Sequence, residues 1–212
     1  MLTVPQTRTR ARRRLLMAKT ALYRMPHRRR REQKTDYRIR LRLVRGGETR
    51  AVIRKSTSHI TVQFVNWEMQ GDKTLLTVSS SHLAKFGWGA GMGNVPAAYL
   101  TGLLAAKLAS TMGIKEVIVD LGMQTNTNGS RLYAAVKGMV DGGLCIPHDS
   151  AKLPSEDRIS GKHIAAWAAN AQGAFGSYKV RAAELPKHFA EVKARIVAGN
   201  STGGGAAKGR ST

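Results

Sequence analysis

The spacing of hydrophobic positions changes along the chain, and each change predicts a different element. Between Thr35 and Gly47, Tyr37, Leu41 and Val44 recur at helical spacing, while Ile39, Leu41 and Leu43 alternate with Arg38, Arg40 and Arg42 as in a strand. The flanks favour a helix, with Thr35 as N-cap and Gly46-Gly47 as the stop. Three strands follow. Ala51-Val52-Ile53 is the first. The turn Ser56-Thr57-Ser58 leads into Ile60, Val62 and Phe64, alternating with Thr61 and Gln63. Gly71-Asp72 then turns into Leu75 to Val78. This order predicts an antiparallel meander.

The period then switches. Asn94 is a cap for a helix to about Met112, with Pro96 in its first turn. That helix is apolar nearly all round, which predicts burial. Val117-Ile118-Val119 reads as a buried parallel strand. After the Asn128-Gly129 turn, Ser130 is the cap of a helix whose Leu132, Ala135, Val136, Met139 and Val140 form an apolar stripe, closed by Gly142-Gly143. A short strand over Leu144 to Ile146 completes the predicted sheet. Beyond Pro147, Ser160 is expected to cap a helix carrying Ile164 and Trp167, and Pro186 to start one carrying Phe189, Val192 and Ile196. The alternation predicts an α/β layered core with a mixed sheet. Its expected division is a basic arm over 1–34, a core over 35–149, a C-terminal helical extension over 150–199 and a Gly-rich flexible tail over 200–212.

Charge sharpens this picture. The 212 residues hold 35 Lys+Arg against 13 Asp+Glu, a net charge of +22. Residues 1–42 hold 15 of those cations and only Glu32 and Asp36 as acids, an excess of +13. Two Arg clusters, Arg12-Arg13-Arg14 and Arg28 to Arg31, stand out. Such runs repel themselves and favour a polyanionic partner, nucleic acid first and an anionic membrane surface second. An organellar presequence is the alternative for the Arg-rich start, and Met17 is a second possible start. Cys145 is the single cysteine, so no intrachain disulfide can form and a reducing interior is expected; its apolar neighbours read as packing. No run of 18 apolar residues exists to span a bilayer.

Catalytic and metal chemistry is not indicated. Gly87-Trp88-Gly89-Ala90-Gly91-Met92-Gly93 precedes a helix but fits neither a dinucleotide fingerprint nor a nucleoside-triphosphate loop. It reads as a flexible loop, with backbone contact to RNA phosphate as the functional alternative. No two of the six histidines have the i, i+4 spacing of a helical metal site. The predicted strands over 50–55, 59–66 and 73–80 contain no acid, and Asp120 stands alone, so the carboxylate cluster of a Mg²⁺ nuclease is missing. What remains is an inventory for RNA: Arg clusters for phosphates and base edges, tyrosines such as Tyr23 and Tyr37 for stacking, and Arg54-Lys55 beside a tight turn.

Several segments in the right order resemble one family. Arg28 to Tyr37 (RRRREQKTDY) with Arg40-Leu41-Arg42-Leu43, Arg54 to Ile60 (RKSTSHI), Asn94 to Ala105 (NVPAAYLTGLLA), Asp141 to His148 (DGGLCIPH), Gly161 to Ala165 (GKHIA) and Leu185 to Phe189 (LPKHF) are similar to the large-subunit ribosomal protein L-eighteen family in its archaeal form. The likeness runs from about Tyr23 to about Gly199; residues 1–22 and the tail depart from it.

The resemblance implies a ribonuclease H-like three-layer core with a mixed, about five-stranded sheet, used for binding and not catalysis. It implies a structural protein of the cytoplasmic ribosome that binds 5S rRNA and anchors it in the central protuberance, beside large-subunit rRNA and neighbouring ribosomal proteins. No cofactor, membrane or small-molecule substrate is expected. The candidate RNA-binding residues are Arg12, Arg13, Arg14, Tyr23, Arg24, Arg28, Arg29, Arg30, Arg31, Lys34, Tyr37, Arg38, Arg40, Arg42, Arg54, Lys55, Ser56, His59, Asn94, Asn128 and Arg131. The rival readings are a nuclease of ribonuclease H-like fold and a general nucleic-acid or membrane-surface binder.

Overall fold

The computed structural model describes residues 23–168 and 178–199. Arg12, Arg13, Arg14, Met17 and the Gly-rich tail lie outside the described residues. The second Arg cluster forms a single helical turn, α1 (Arg28–Arg31), exposed on all sides. Gln33, at φ +53°, redirects the chain into α2 (Tyr37–Arg45). The cap of α2 is Asp36 and not the expected Thr35. The Asp36 carboxylate accepts from the backbone N–H of Arg38 at 2.9 Å and of Ile39 at 3.4 Å. The Thr35 hydroxyl is engaged elsewhere, accepting from Arg29 Nε at 2.9 Å.

A mixed four-stranded sheet follows, with strands β1 (Arg50–Lys55), β2 (Ile60–Glu68), β3 (Gly71–Ser79) and β4 (Ile118–Asp120) in the order β3-β2-β1-β4. β1-β2 and β2-β3 are antiparallel and β4 joins β1 in parallel. The register aligns Ala51 with Phe64 and Leu76, and Ile53 with Val62 and Val78, giving one continuous apolar face. β2 and β3 run further than the hydrophobic alternation indicated. Their outer ends, which include Glu68 and Asp72, are exposed, so no buried face marks them as strand. The strands are therefore not free of acids, as the shorter boundaries suggested.

Among the described residues the sheet has four strands, where about five were expected. Leu144 to Ile146 contributes only an isolated parallel bridge between Glu116 and Cys145, and Pro147 has no N–H to extend it. Within that segment Leu144 and Ile146 are buried while Cys145 is exposed, so the cysteine is not the packing residue its neighbours implied.

The apolar face is covered by α3 (Val95–Thr111) and α4 (Arg131–Asp141). Asn94 Oδ1 caps α3 by accepting from Ala97 N–H at 2.8 Å. Thirteen of its 17 residues are buried, as an all-round apolar helix requires. α3 and α4 touch backbone to backbone. A Cβ on Gly102 would run into the Ala135 carbonyl, and one on Gly138 into the Tyr99 carbonyl. Glycine in a helix interior costs stability relative to alanine, and here the close approach offsets that cost.

After Ser80–Phe86, a 3₁₀ stretch that the hydrophobic pattern had not suggested, the remaining helices are α5 (Glu156–Ser160), α6 (Lys162–Ala168) and α7 (Leu185–Ala198). Ser160 ends α5 instead of capping the next helix; Gly161, at φ +83°, makes the break. Leu185, Phe189, Val192 and Ile196 of α7 are buried in the same hydrophobic cluster as α3. The close helix approach is testable. Gly102→Ala should lower stability by about 2–3 kcal/mol through overpacking, whereas Gly113→Ala, which has open space but a φ of +78°, should cost about 1 kcal/mol. Urea unfolding of the two variants separates these outcomes.

Candidate nucleic-acid interface

The β1–β2 turn holds four of the expected RNA residues. Ser56 N–H donates to the His59 carbonyl at 2.8 Å, and His59 N–H donates to Ser56 Oγ at 2.9 Å. Ser56 thus closes the turn that presents Thr57, Ser58 and His59, all exposed. The His59 ring sits 3.2 Å from Ser80 Oγ. A second loop braces the turn. Gln124 accepts from Lys55 N–H at 3.0 Å and donates to the Ile53 carbonyl at 2.8 Å. Lys55 Nζ donates to the Thr125 carbonyl at 3.3 Å. Gln124 was not singled out from the sequence, because its contacts are made 69–71 residues away and leave no local pattern.

On the sheet face opposite the core, Arg50 is buried, at 2% side-chain exposure. Its guanidinium lies 2.8 Å from Asp72 and 3.8 Å from Asp120. Each carboxylate holds a second cation: Arg40 of α2 is 2.8 Å from Asp72, and Arg54 is 3.7 Å from Asp120. Arg54 also donates to the carbonyls of Ile53 and Asp120, both at 3.0 Å. Asp120 therefore does not stand alone, and Arg40 and Arg54 have intramolecular partners.

The other half of α2 differs. Arg38, Arg42 and Arg45 are exposed, at i, i+4 and i+7, and no acid among the described residues pairs with them. In the segment before α2, Glu32 takes Lys34 at 2.9 Å and Arg28 at 3.8 Å, while Arg24, Arg30 and Arg31 are exposed. The hydrogen bond from Lys34 and the surrounding cations hold the Glu32 carboxyl below the usual carboxylate range. The rings of Tyr37 and His27 lie 5.4 Å apart; Tyr23 is half-buried.

Asn94 and Arg131 sit on a different edge. Besides capping α3, Asn94 leaves its amide nitrogen buried without a partner among the described residues. Arg131 donates to the Gly93 carbonyl at 2.6 Å. Asn128 is exposed in the loop before α4. An open cleft of about 560 Å³ brings Asn94 together with Thr57, Ser58 and His59, the Gly-rich loop and Lys179. The loop's glycines serve packing: a Cβ on Gly93 would lie 2.8 Å from the Thr57 carbonyl, and one on Gly89 2.9 Å from Val180. Among the described residues, no group of three or more His, Cys, Asp or Glu is placed to hold a metal ion, and no helix is long and apolar enough to cross a membrane.

Residues 21–118 and 109–149 match the family described as "Ribosomal large subunit proteins 60S L5, and 50S L18". The chain belongs to this family. It is 43% identical over 188 residues to the large ribosomal subunit protein uL18 of Methanothermobacter thermautotrophicus, a match covering 85% of this chain and 98% of the relative. The uL18 proteins of Halobacterium salinarum (43% identity, 85% of this chain, 99% of the relative) and Staphylothermus marinus (44%, 85% and 96%) are similar to the same extent.

In this L5/L18 family member the Gly-rich loop is pinned from below. His188 Nε2 accepts from Gly89 N–H at 3.1 Å, and the His188 ring stacks on Trp88 with centroids 5.3 Å apart. Burial pushes the His188 pKa down; Arg195 adds to this and Glu191 opposes it. A histidine that disfavours its proton in the folded state contributes stability above its unfolded pKa, and that contribution is lost as pH falls below about 6.5. The slope of Tm against pH between 7 and 5 should therefore be shallower in His188→Gln, whose amide oxygen can still accept from Gly89; equal slopes in calorimetry would refute this role. Arg50→Met should destabilise the fold by about 2–4 kcal/mol, because it leaves two carboxylates facing each other across an apolar side chain. Urea unfolding measures it, and a loss under 1 kcal/mol would show the guanidinium to be dispensable.

Proposed function

We propose that the chain is a structural constituent of the large subunit of cytoplasmic ribosomes, and that it binds 5S rRNA and anchors it in the central protuberance. The observation that carries this reading is a basic, acid-poor surface over Arg24, Arg28–Arg31, Arg38, Arg42 and Arg45 in a member of a family of ribosomal large subunit proteins. Most of these cations, Arg28 with its Glu32 contact excepted, are held apart from internal acids and are available to phosphates, and arginine also stacks on unpaired bases. The β1–β2 turn supplies a second contact, through Lys55, Ser56 and His59 with Arg54 beside them. Asn94 on the cleft and Arg131, bonded to the neighbouring Gly93 carbonyl, extend it, with Asn128 in the loop before α4; Arg29, Lys34 and Tyr23 precede α2, Tyr37 opens it, and Arg12, Arg13 and Arg14 add phosphate contacts from the leading segment.

A ribonuclease H-like layout fits the antiparallel β1-β2-β3 meander followed by parallel β4. A binding role, not catalysis, is supported by the use of Asp72 and Asp120: they share Arg50 and are further paired with Arg40 and Arg54 respectively. Large-subunit rRNA and neighbouring ribosomal proteins complete the partner set.

The division between arm and core is measurable. Residues 1–34 carry 12 Lys+Arg. The slope of log K against log[salt] shrinks by about 0.7–0.9 for every phosphate that the protein ceases to neutralise. Removing residues 1–34 should therefore flatten the slope for 5S rRNA by about four or more. An unchanged slope would place the salt-sensitive grip in the core. Equal affinity for 5S rRNA and unrelated duplex RNA would instead favour a general binder.

A further inference from the structure

The β2–β3 ribbon runs past the body of the fold. β2 and β3 keep pairing, Trp67 with Asp72 and Glu68 with Gly71, and residues 67–74 are all exposed. Trp67 is 53% exposed and Met69, in the tight turn, 93%. An isolated two-stranded ribbon is marginally stable, yet this one is pinned close to its turn: Asp72, directly opposite Trp67, is held by Arg40 and Arg50 at 2.8 Å each. The register puts Val65, Trp67, Thr74 and Asp72 on one face, and Asn66, Glu68 and Lys73 on the other, where Glu68 pairs with Lys73 at 3.2 Å.

The chemistry of this tip is opposite to that of the rest of the surface. In a chain of net charge +22, residues 66–72 contain no Lys or Arg and two carboxylates. A phosphate backbone is gripped by cations, and the cation of this ribbon, Lys73, is paired with Glu68 at 3.2 Å. Exposed tryptophan and methionine on a rigid projection are the composition of a protein–protein anchor.

We propose that the β2–β3 tip is a docking knob for a neighbouring protein of the large subunit, with Trp67 and Met69 seated in an apolar pocket whose polar rim meets the Glu68–Lys73 pair. This rests on the ribosomal reading above. The ribbon is buttressed through Asp72 before the partner arrives, so little ordering is needed on docking.

The test uses the full chain, produced in its own cells with the photo-reactive amino acid p-benzoylphenylalanine in place of Trp67, or of Met69 in a second strain. Large subunits are isolated and irradiated. The expected product is a cross-link from either position to one ribosomal protein, removed by protease and insensitive to ribonuclease. A cross-link to rRNA, or none in subunits that contain the chain, overturns the proposal. Absence of the wild-type chain from large subunits overturns the ribosomal reading itself, which separates the two failures. In parallel, Trp67→Ser with Met69→Ser should leave affinity for 5S rRNA within twofold while retention of the chain on salt-washed subunits falls tenfold or more. A tenfold loss of RNA affinity with an unchanged melting temperature would assign the tip to RNA.

Discussion

The buried guanidinium of Arg50 is the constraint on which the outer face of this protein depends. A cation taken out of water is tolerable only if its charge and its hydrogen bonds are met. Asp72 and Asp120 meet them from β3 and β4, so one side chain on β1 joins the meander to the parallel strand. Each carboxylate then reaches outward to a second arginine. Through Arg40, Asp72 fixes the rotation of α2; through Arg54, Asp120 fixes the entry to the β1–β2 turn. The two surfaces proposed to meet RNA are oriented by the same buried charge.

Scarce acid makes this arrangement informative. Of the 13 acidic residues, nine are in ion pairs among the described residues, and Asp36 spends its carboxylate capping α2. A molecule with so few acids cannot neutralise its surface; it can only choose which cations are tied down. Arg50, Arg40 and Arg54 are tied, and Arg38, Arg42 and Arg45 are not. Most exposed pairs contribute little to stability. The Arg50 cluster differs because its carboxylates are largely withdrawn from solvent, Asp120 to 15% exposure.

Much of the core was legible in the chain because burial imposes a period. Ile60, Val62 and Phe64 alternate, and the apolar α3 is buried. Where burial stops, the signal stops: residues 67–74 pair as strands but face solvent, and the sequence showed only a turn at Gly71-Asp72. Caps were blurred for another reason. Thr35 and Asp36 are both capping residues, and what separates them is the Arg29 side chain, which takes the threonine hydroxyl. The site followed the same rule. Runs of arginine announced a polyanion, but nothing local distinguished Arg40 from Arg42, because the difference is made by an aspartate 32 residues away.

That distinction gives α2 its shape as a proposed interface. Asp36 fixes where the helix begins and Arg40–Asp72 fixes which side faces the sheet, so Arg38, Arg42 and Arg45 fall on the outward side. At 1.5 Å per residue they stand about 6 Å and about 10.5 Å apart along the axis. A stripe set in this way loses little freedom when a ligand arrives, because ordering a free backbone costs about 1–2 kcal/mol of entropy per residue. Cations on α2 are therefore worth more, per charge, than cations on chain that must first be ordered. In the proposed role the net charge attracts the polyanion, and the Arg50 cluster determines which part of that charge is already in register to hold it.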